Sequence, residues 1–356
     1  MSILQPIPRA RTLSIMPTFK CTAECEHCGT LSSPREKTWL PLEHMLSAID
    51  QAAQRNYQVV VFTGGEPTLA GKNLLVAMQR AASHGLIVRV VTNAHWAVSD
   101  EHAGRRIASL MSAGLSEINF STGDQHARFV LVENVIRATR AAVQVPLHAV
   151  AIMVETVRER RITKETVINH PDFKRILDDF PHAQVRVNES PWMPLSPSWI
   201  HGYPDGAAVN ASNLSRRTGC DSVLATTTIE ADGRMAACCG LGMRLIPELQ
   251  IGHVSDTRLE DADKLAESDF LKHWIRLEGP ERILAWASTH DPDIEWENLY
   301  AHRCQACLRL YKDPKVRKII AEHYEEKIAD CLFAEWLLYH DRPDIQEPAP
   351  EEQRSS

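Results

Sequence analysis

The stretch that decides the fold is Lys20-Cys21-Thr22-Ala23-Glu24-Cys25-Glu26-His27-Cys28-Gly29. Three thiols fall within eight residues, spaced C-x3-C-x2-C, close enough to grip one metal centre from a single loop. The count is informative: a structural tetrahedral site closes with four protein ligands, whereas three leave a position open for chemistry. The next cysteine is Cys220, so nothing local completes the set. Soft thiolates select zinc, Cu(I) or iron–sulfur clusters. A [4Fe–4S] cube held by three cysteines keeps one iron free for a small molecule.

Outward from this loop, strand and helix patterns alternate. Thr12–Thr18 reads as a strand leading into the loop, after a loose arm at residues 1–11. Leu42, Met45, Leu46, Ile49 and Ala53 recur at helical spacing. Tyr57–Phe62 is an apolar β-branched run of the kind buried in parallel sheets, and it ends in Thr63-Gly64-Gly65-Glu66-Pro67-Thr68. Further strands are expected at 86–92, 116–121, 147–154 and 184–188, with helices between, the last of them broken at Pro171. Six βα units imply a parallel sheet with right-handed crossovers. Six cannot close an eight-fold barrel, so the expected fold is α/β, a partial, TIM-like (βα)6 arc. Functional residues of such a fold gather at the C-terminal strand ends, where the cysteine loop, Gly64–Thr68, Thr92-Asn93 and Ser121–His126 all fall.

The pattern changes near residue 206. Ser222–Glu230 and Met235–Cys238 read as a hairpin about Ala231-Asp232-Gly233-Arg234. Helices are expected at 258–275, 280–289 and 314–340, with Cys304-Gln305-Ala306-Cys307 as a tight knuckle. The expected layout is therefore an arm to 11, a core over 12–206, a small α+β domain over 207–340 and a Pro/Glu/Ser-rich disordered tail over 341–356.

Composition bounds the partners. The 356 residues are 44% hydrophobic and 24% charged, ordinary for a globular chain. A net charge of −7 gives no footprint for nucleic acid or anionic lipid. No apolar run approaches the roughly 18 residues of a membrane span, and the N-terminus lacks a signal-peptide pattern. A cytoplasmic protein is expected, in which nine cysteines read as metal ligands rather than disulfides.

Cys21, Cys25 and Cys28 followed by Gly64-Gly65-Glu66-Pro67 at the end of the next strand resemble the signature of radical S-adenosylmethionine (SAM) enzymes. The resemblance covers roughly residues 12–200. His27 stands where that family usually has an aromatic residue. Cys220, Gly233, Cys238 and Cys304-x2-Cys307 are in turn similar to the twitch/SPASM extensions of the superfamily. The further cysteines of a full SPASM domain are absent after Cys307, which favours the shorter twitch form with one auxiliary cluster. The layout is closest to that of an aminoglycoside-pathway dehydrogenase, and it departs from the molybdenum-cofactor cyclases in lacking a Gly-Arg-rich C-terminal tail.

The resemblance implies that Cys21, Cys25 and Cys28 hold a [4Fe–4S] cluster whose open iron chelates SAM. Reduction then yields a 5′-deoxyadenosyl radical that abstracts hydrogen from the substrate. It implies cofactor contacts from His27, Gly64, Gly65, Glu66, Pro67, Thr92, Asn93 and Ser121. It also implies an auxiliary [4Fe–4S] cluster on Cys220, Cys238, Cys304 and Cys307, and a flavodoxin- or ferredoxin-type electron donor. The plainer readings are a zinc knuckle for the first group, an ordinary βα turn at Gly64–Pro67, a zinc ribbon for the second group, and helix or loop caps for the polar strand-end residues.

Asp124 and Cys239 are the catalytic candidates: Asp124 as a substrate contact or proton acceptor, against a helix cap; Cys239 as a hydrogen donor, against a spare ligand or free thiol on the opposite side from Cys238. Cys331 reads as core. Arg158, Arg160, Arg161, Arg186, Trp192, Trp199 and His201 lie near the inferred mouth. The expected substrate is a ribosomally made peptide or a small polar metabolite such as an aminocyclitol or sugar alcohol. A core starting near residue 12 leaves no room for a separate leader-binding domain, which weighs against the peptide.

Overall fold

The structure, a computed structural model, describes residues 11–26, 28–193, 195 and 203–340. His27, Trp199, His201, the arm before Arg11 and the tail after His340 lie outside the described residues.

The first half alternates strand and helix. β1 (Thr12–Ile15) is followed by α1 (Leu42–Gln54), β2 (Val59–Phe62), α2 (Lys72–Ser83), β3 (Ile87–Thr92), α3 (Asp100–Ser112) and β4 (Glu117–Gly123). A single turn, α4 (Asp124–Ala127), precedes α5 (Val132–Ala142), β5 (Ala149–Thr156), α6 (Lys164–Ile168), α7 (Pro171–Asp179) and β6 (Val185–Pro191). β1 to β6 pair side by side, every pair parallel. The expected break at Pro171 is there. Proline opens α7, where its missing N–H costs nothing.

Strand periodicity sets the two faces. Val60 and Phe62, Val88 and Val90, Ile118 and Phe120, and Val150 and Ile152 are buried in the main core. The alternate positions Thr63, Val91, Ser121 and Met153 face a cavity on the other side.

After residue 206 the sheet continues. β7 (Thr226–Ile229) lies parallel against β1, in the register Thr12↔Thr226, and β8 (Arg234–Ala236) and β9 (Gln250–His253) add antiparallel strands. The order among the described residues is β6-β5-β4-β3-β2-β1-β7-β8-β9. One sheet thus spans the position at which composition changes. The expected hairpin turn forms, with Gly233 at φ +88°, but β9 has no counterpart in the sequence reading, because Gln-Ile-Gly-His is too short to show a period.

The rest is helical: α8 (Leu259–Glu267), α9 (Phe270–Leu277), α10 (Pro280–His290), α11 (Arg303–Lys312), α12 (Pro314–His323) and α13 (Glu325–His340). Two long expected helices are each split. Asp269 caps α9 through Leu271 N, and α12 gives way to α13 at Tyr324. Cys304 and Cys307 sit in the first two turns of α11 rather than on a knuckle. His302 caps that helix by accepting from the Cys304 amide. Cys331 is buried, as expected.

Candidate active site

The loop after β1 carries the first three cysteines, and the end of β2 locks it in place. Gly65 N donates to Thr18 O (3.0 Å), Glu66 N to Lys20 O (2.8 Å), and Cys21 N to Ser33 O (3.1 Å). A Cβ on Gly65 would lie 2.2 Å from Lys20 O, and Gly64 holds φ +110° with Thr18 O 2.9 Å from any added Cβ. The glycine pair therefore lets two backbones touch, and only glycine fits. Sequence reasoning had expected a close approach to a ligand; here the close partner is the cysteine loop itself.

Glu66 is fully buried and accepts from Thr68 N (3.2 Å), Thr68 Oγ1 (2.5 Å), Thr92 Oγ1 (2.8 Å) and Asn93 N (2.9 Å). Four donors satisfy a buried carboxylate. Glu66 and Pro67 were both expected to contact the cofactor. Neither lines the cavity; they join the ends of β2 and β3 beneath it. Asn93 reaches the other way, donating through Nδ2 to Thr22 Oγ1 (3.0 Å) and toward Cys21 Sγ (3.7 Å).

A cavity of about 270 Å³ opens beside the loop. Cys21, Cys25, Cys28, Gly64, Gly65, Thr92, Asn93 and Ser121 all border it, as do His126, Glu155 and Trp192. Burial pushes the Cys21 thiol up to about 11 and Cys25 higher still, with Glu155 adding to the effect at Cys25. Such thiols hold their protons unless a cation takes the proton's place.

Asp124 does not line this cavity. Its carboxylate accepts from the amides of Arg161 (3.0 Å) and Ile162 (3.1 Å), tying α4 to the loop after β5. The structure thus places Asp124, a catalytic candidate, in a loop tie with backbone N–H groups at its oxygens. The acid at the cavity is Glu155, which the sequence reading passed over. It is 6% exposed and accepts from the amides of Gln125 and His126 and from His126 Nδ1 (2.5 Å). A Cβ on Gly123 would lie 2.0 Å from Glu155 Cγ, so the glycine makes room for it. The signal was an acid one residue past the apolar run of β5, where strand-end function concentrates. The edge of His126 meets Trp192 at 6.1 Å, and Trp192 Nε1 donates to Glu26 O (3.0 Å). Of the described mouth residues only Trp192 lines the cavity. Arg158 instead bonds Tyr203 O, Arg160 pairs with Glu189 at 4.0 Å, the Arg161 amide serves Asp124, and Arg186 is exposed.

The second cysteine group lines a larger cavity of about 590 Å³. Cys220 is fixed by its amide to Ile275 O at the end of α9 (3.0 Å), Cys238 follows β8, and α11 supplies Cys304 and Cys307. A Cβ on Gly240 would stand 3.2 Å from Cys304 Sγ and 3.6 Å from Cys238 Sγ, so both sulfurs pack beside this glycine. Burial raises all of Cys238, Cys304 and Cys307, Cys304 to about 12. Cys239 borders the same cavity, not the opposite side. β8 has ended at Ala236, so strand alternation no longer applies, and Cys239 sits exposed beside Ser222 Oγ (3.2 Å).

Met153, Ser190, Pro191 and Leu241 line both cavities, so the two cysteine groups face a shared wall. Among the described residues, no three of these seven sulfurs lie within 4.8 Å of one another. Thiolates are ligands that zinc and iron–sulfur clusters share.

An open parallel α/β sheet with a three-thiol loop at its C-terminal edge defines the class of protein. Residues 15–187 match the Radical SAM superfamily, and over this span the chain carries a radical SAM domain, the shared domain of a superfamily of enzymes. The chain is 27% identical over 134 residues to the putative peptide biosynthesis protein YydG of Bacillus subtilis, covering 36% of this chain and 42% of that protein. It is 27% identical over 180 residues to a GTP 3′,8-cyclase of Synechococcus elongatus, covering 48% and 52%. The chain thus spans about half the length, or less, of these curated relatives. The structure of anSMEcpe with bound AdoMet shares the fold at TM-score 0.51 and 15% identity, covering 88% of this chain and 99% of that one.

Proposed function

We propose that this protein is a radical SAM enzyme that modifies a peptide. The observation that carries the reading is the pair of adjoining cysteine-lined cavities: one bordered by Cys21, Cys25 and Cys28, the other by Cys220, Cys238, Cys304 and Cys307 with Cys239 beside them. A [4Fe–4S] cluster held by Cys21, Cys25 and Cys28 would supply the electron for reductive cleavage of SAM, and with it the 5′-deoxyadenosyl radical chemistry of hydrogen abstraction.

The residues have separate tasks. Cys21, Cys25 and Cys28 hold the cluster, Asn93 directs a polar hydrogen at the sulfur of Cys21, and Thr30 Oγ1 lies 3.3 Å from the sulfur of Cys28. Gly64, Gly65, Thr92 and Ser121 border the space for SAM. Glu155 orients His126 toward that space. Cys220, Cys238, Cys304 and Cys307 hold an auxiliary [4Fe–4S] cluster in a twitch-like region over 207–340, next to a core over 12–206. A closed cluster cannot chelate substrate, so its task is to accept an electron. A flavodoxin- or ferredoxin-type protein is the donor, in a cytoplasmic setting. Among the described residues no helix is long and apolar enough to cross a membrane.

The peptide reading draws on the similarity to YydG, whose printed name is a putative peptide biosynthesis protein. It is chosen over oxidation of an aminocyclitol or sugar alcohol for that reason. The test is anaerobic reconstitution followed by incubation with SAM, dithionite and peptides encoded beside the gene. About eight irons, 5′-deoxyadenosine and a mass change in a peptide support the proposal. Two zincs and no SAM cleavage overturn it.

A further inference from the structure

Far from the cysteines in sequence role, three residues converge at the helical end of the molecule. His290 is the last residue of α10, His323 the last of α12, and Glu326 the second of α13. One ligating atom from each lies within 4.8 Å of the others. His290 Nε2 stands 3.5 Å from Glu326 Oε2, and His323 Nδ1 stands 3.4 Å from Glu326 Oε1. These separations are long for hydrogen bonds, which cluster at about 2.7–3.2 Å. Each imidazole thus faces a different oxygen of Glu326, at close to the roughly 3.3 Å between two ligands of a tetrahedral ion at about 2.0–2.1 Å.

The imidazoles are also held in place. Their rings stack at 4.3 Å with 24° between planes, and the edge of Trp286, one turn earlier on α10, meets His290 at 4.8 Å. Both histidines are half-buried while Glu326 is exposed. The result is two imidazoles and one carboxylate gathered about one spot. That ligand set suits zinc and its neighbours in the first transition row, and it differs in kind from the thiolate groups elsewhere in the chain.

We propose that His290, His323 and Glu326 bind a divalent zinc-type ion, with water completing the site, and that the ion pins α13 to α10 and α12. The consequence reaches the larger cavity. α10, α11 and α12 pack on one another, and α11 carries Cys304 and Cys307. An ion joining α10 to α12 stiffens the pair of helices that flank those two ligands.

The test uses the full chain, reconstituted with iron and sulfide, desalted, and titrated with Zn²⁺ by calorimetry, with X-ray absorption at the zinc edge. The expected result is one equivalent of zinc, micromolar or tighter, with an N/O shell near 2.0 Å and no sulfur at 2.3 Å. His290→Ala and His323→Ala each weaken that binding at least tenfold, and zinc raises the melting temperature of the parent but not of the variants. Glu326→Gln, an exposed change that leaves the fold intact, weakens it as well. Three results overturn the proposal: a sulfur shell, unchanged affinity in the variants, or no binding below about 1 mM.

Discussion

The amide of Gly242 donates to the carbonyl of Gly29 at 2.8 Å, joining the segment after Cys239 to the loop that holds Cys28. Beside this bond Leu241 packs on Gly29 so closely that a Cβ there would lie 2.5 Å from Leu241 Cδ2 and 2.8 Å from its Cβ. Two residues on, Arg244 Nη1 donates to Thr30 O (2.7 Å), its guanidinium sits 3.5 Å from the Phe19 ring, and its Nε pairs with the fully buried Glu230 (3.1 Å). The loop of the first cysteine group is thus braced by the chain that leaves the second.

Gly29→Ala is expected to push Leu241 out of this contact, costing about 1–3 kcal/mol as overpacking does and weakening SAM binding. The double variant Gly29→Ala/Leu241→Ala recovers part of the loss, because the clash is with that side chain. Thermal melts and SAM titrations of all three proteins check this. Wild-type behaviour in the single variant means that the brace is dispensable.

Cys21→Ala is expected to abolish 5′-deoxyadenosine formation, whereas Cys304→Ala retains uncoupled SAM cleavage and loses product. Chromatography of both reaction mixtures separates the outcomes. Product at the wild-type rate from Cys304→Ala removes any redox task for the four-cysteine site.

Glu66→Gln places an amide where four donors now point. At least one buried N–H or O–H loses its acceptor, at a cost of about 1–3 kcal/mol, read as a melting temperature lower by several degrees in the chain with or without iron. No change in melting temperature contradicts the account of Glu66 as the tie between β2 and β3.

Glu155→Gln and Asp124→Asn separate the cavity acid from the loop acid. Asp124→Asn keeps an oxygen for the Arg161 and Ile162 amides and is expected to leave turnover within about threefold, while Glu155→Gln loosens His126 and lowers turnover tenfold or more. Steady-state rates at saturating SAM decide it. The reverse ranking restores Asp124 as the working residue.

What the sequence determined by itself was local. The apolar β-branched runs at Val59–Phe62 and Ile87–Thr92, the βα alternation and the cysteine spacing are properties of neighbours along the chain, and each is legible without a partner. The structure decided whatever depends on chain segments far apart. Thr12 pairs with Thr226, so the sheet runs on through β7 instead of stopping near 206. Gly65 serves the backbone of Lys20, a relation no local pattern reveals. Asp124 and Glu155 look alike as acids at strand ends, yet one meets the amides of Arg161 and Ile162 and the other faces the cavity. That difference arises from which donors folding brings within reach of each carboxylate, and donors delivered by distant elements leave no mark on the sequence beside it.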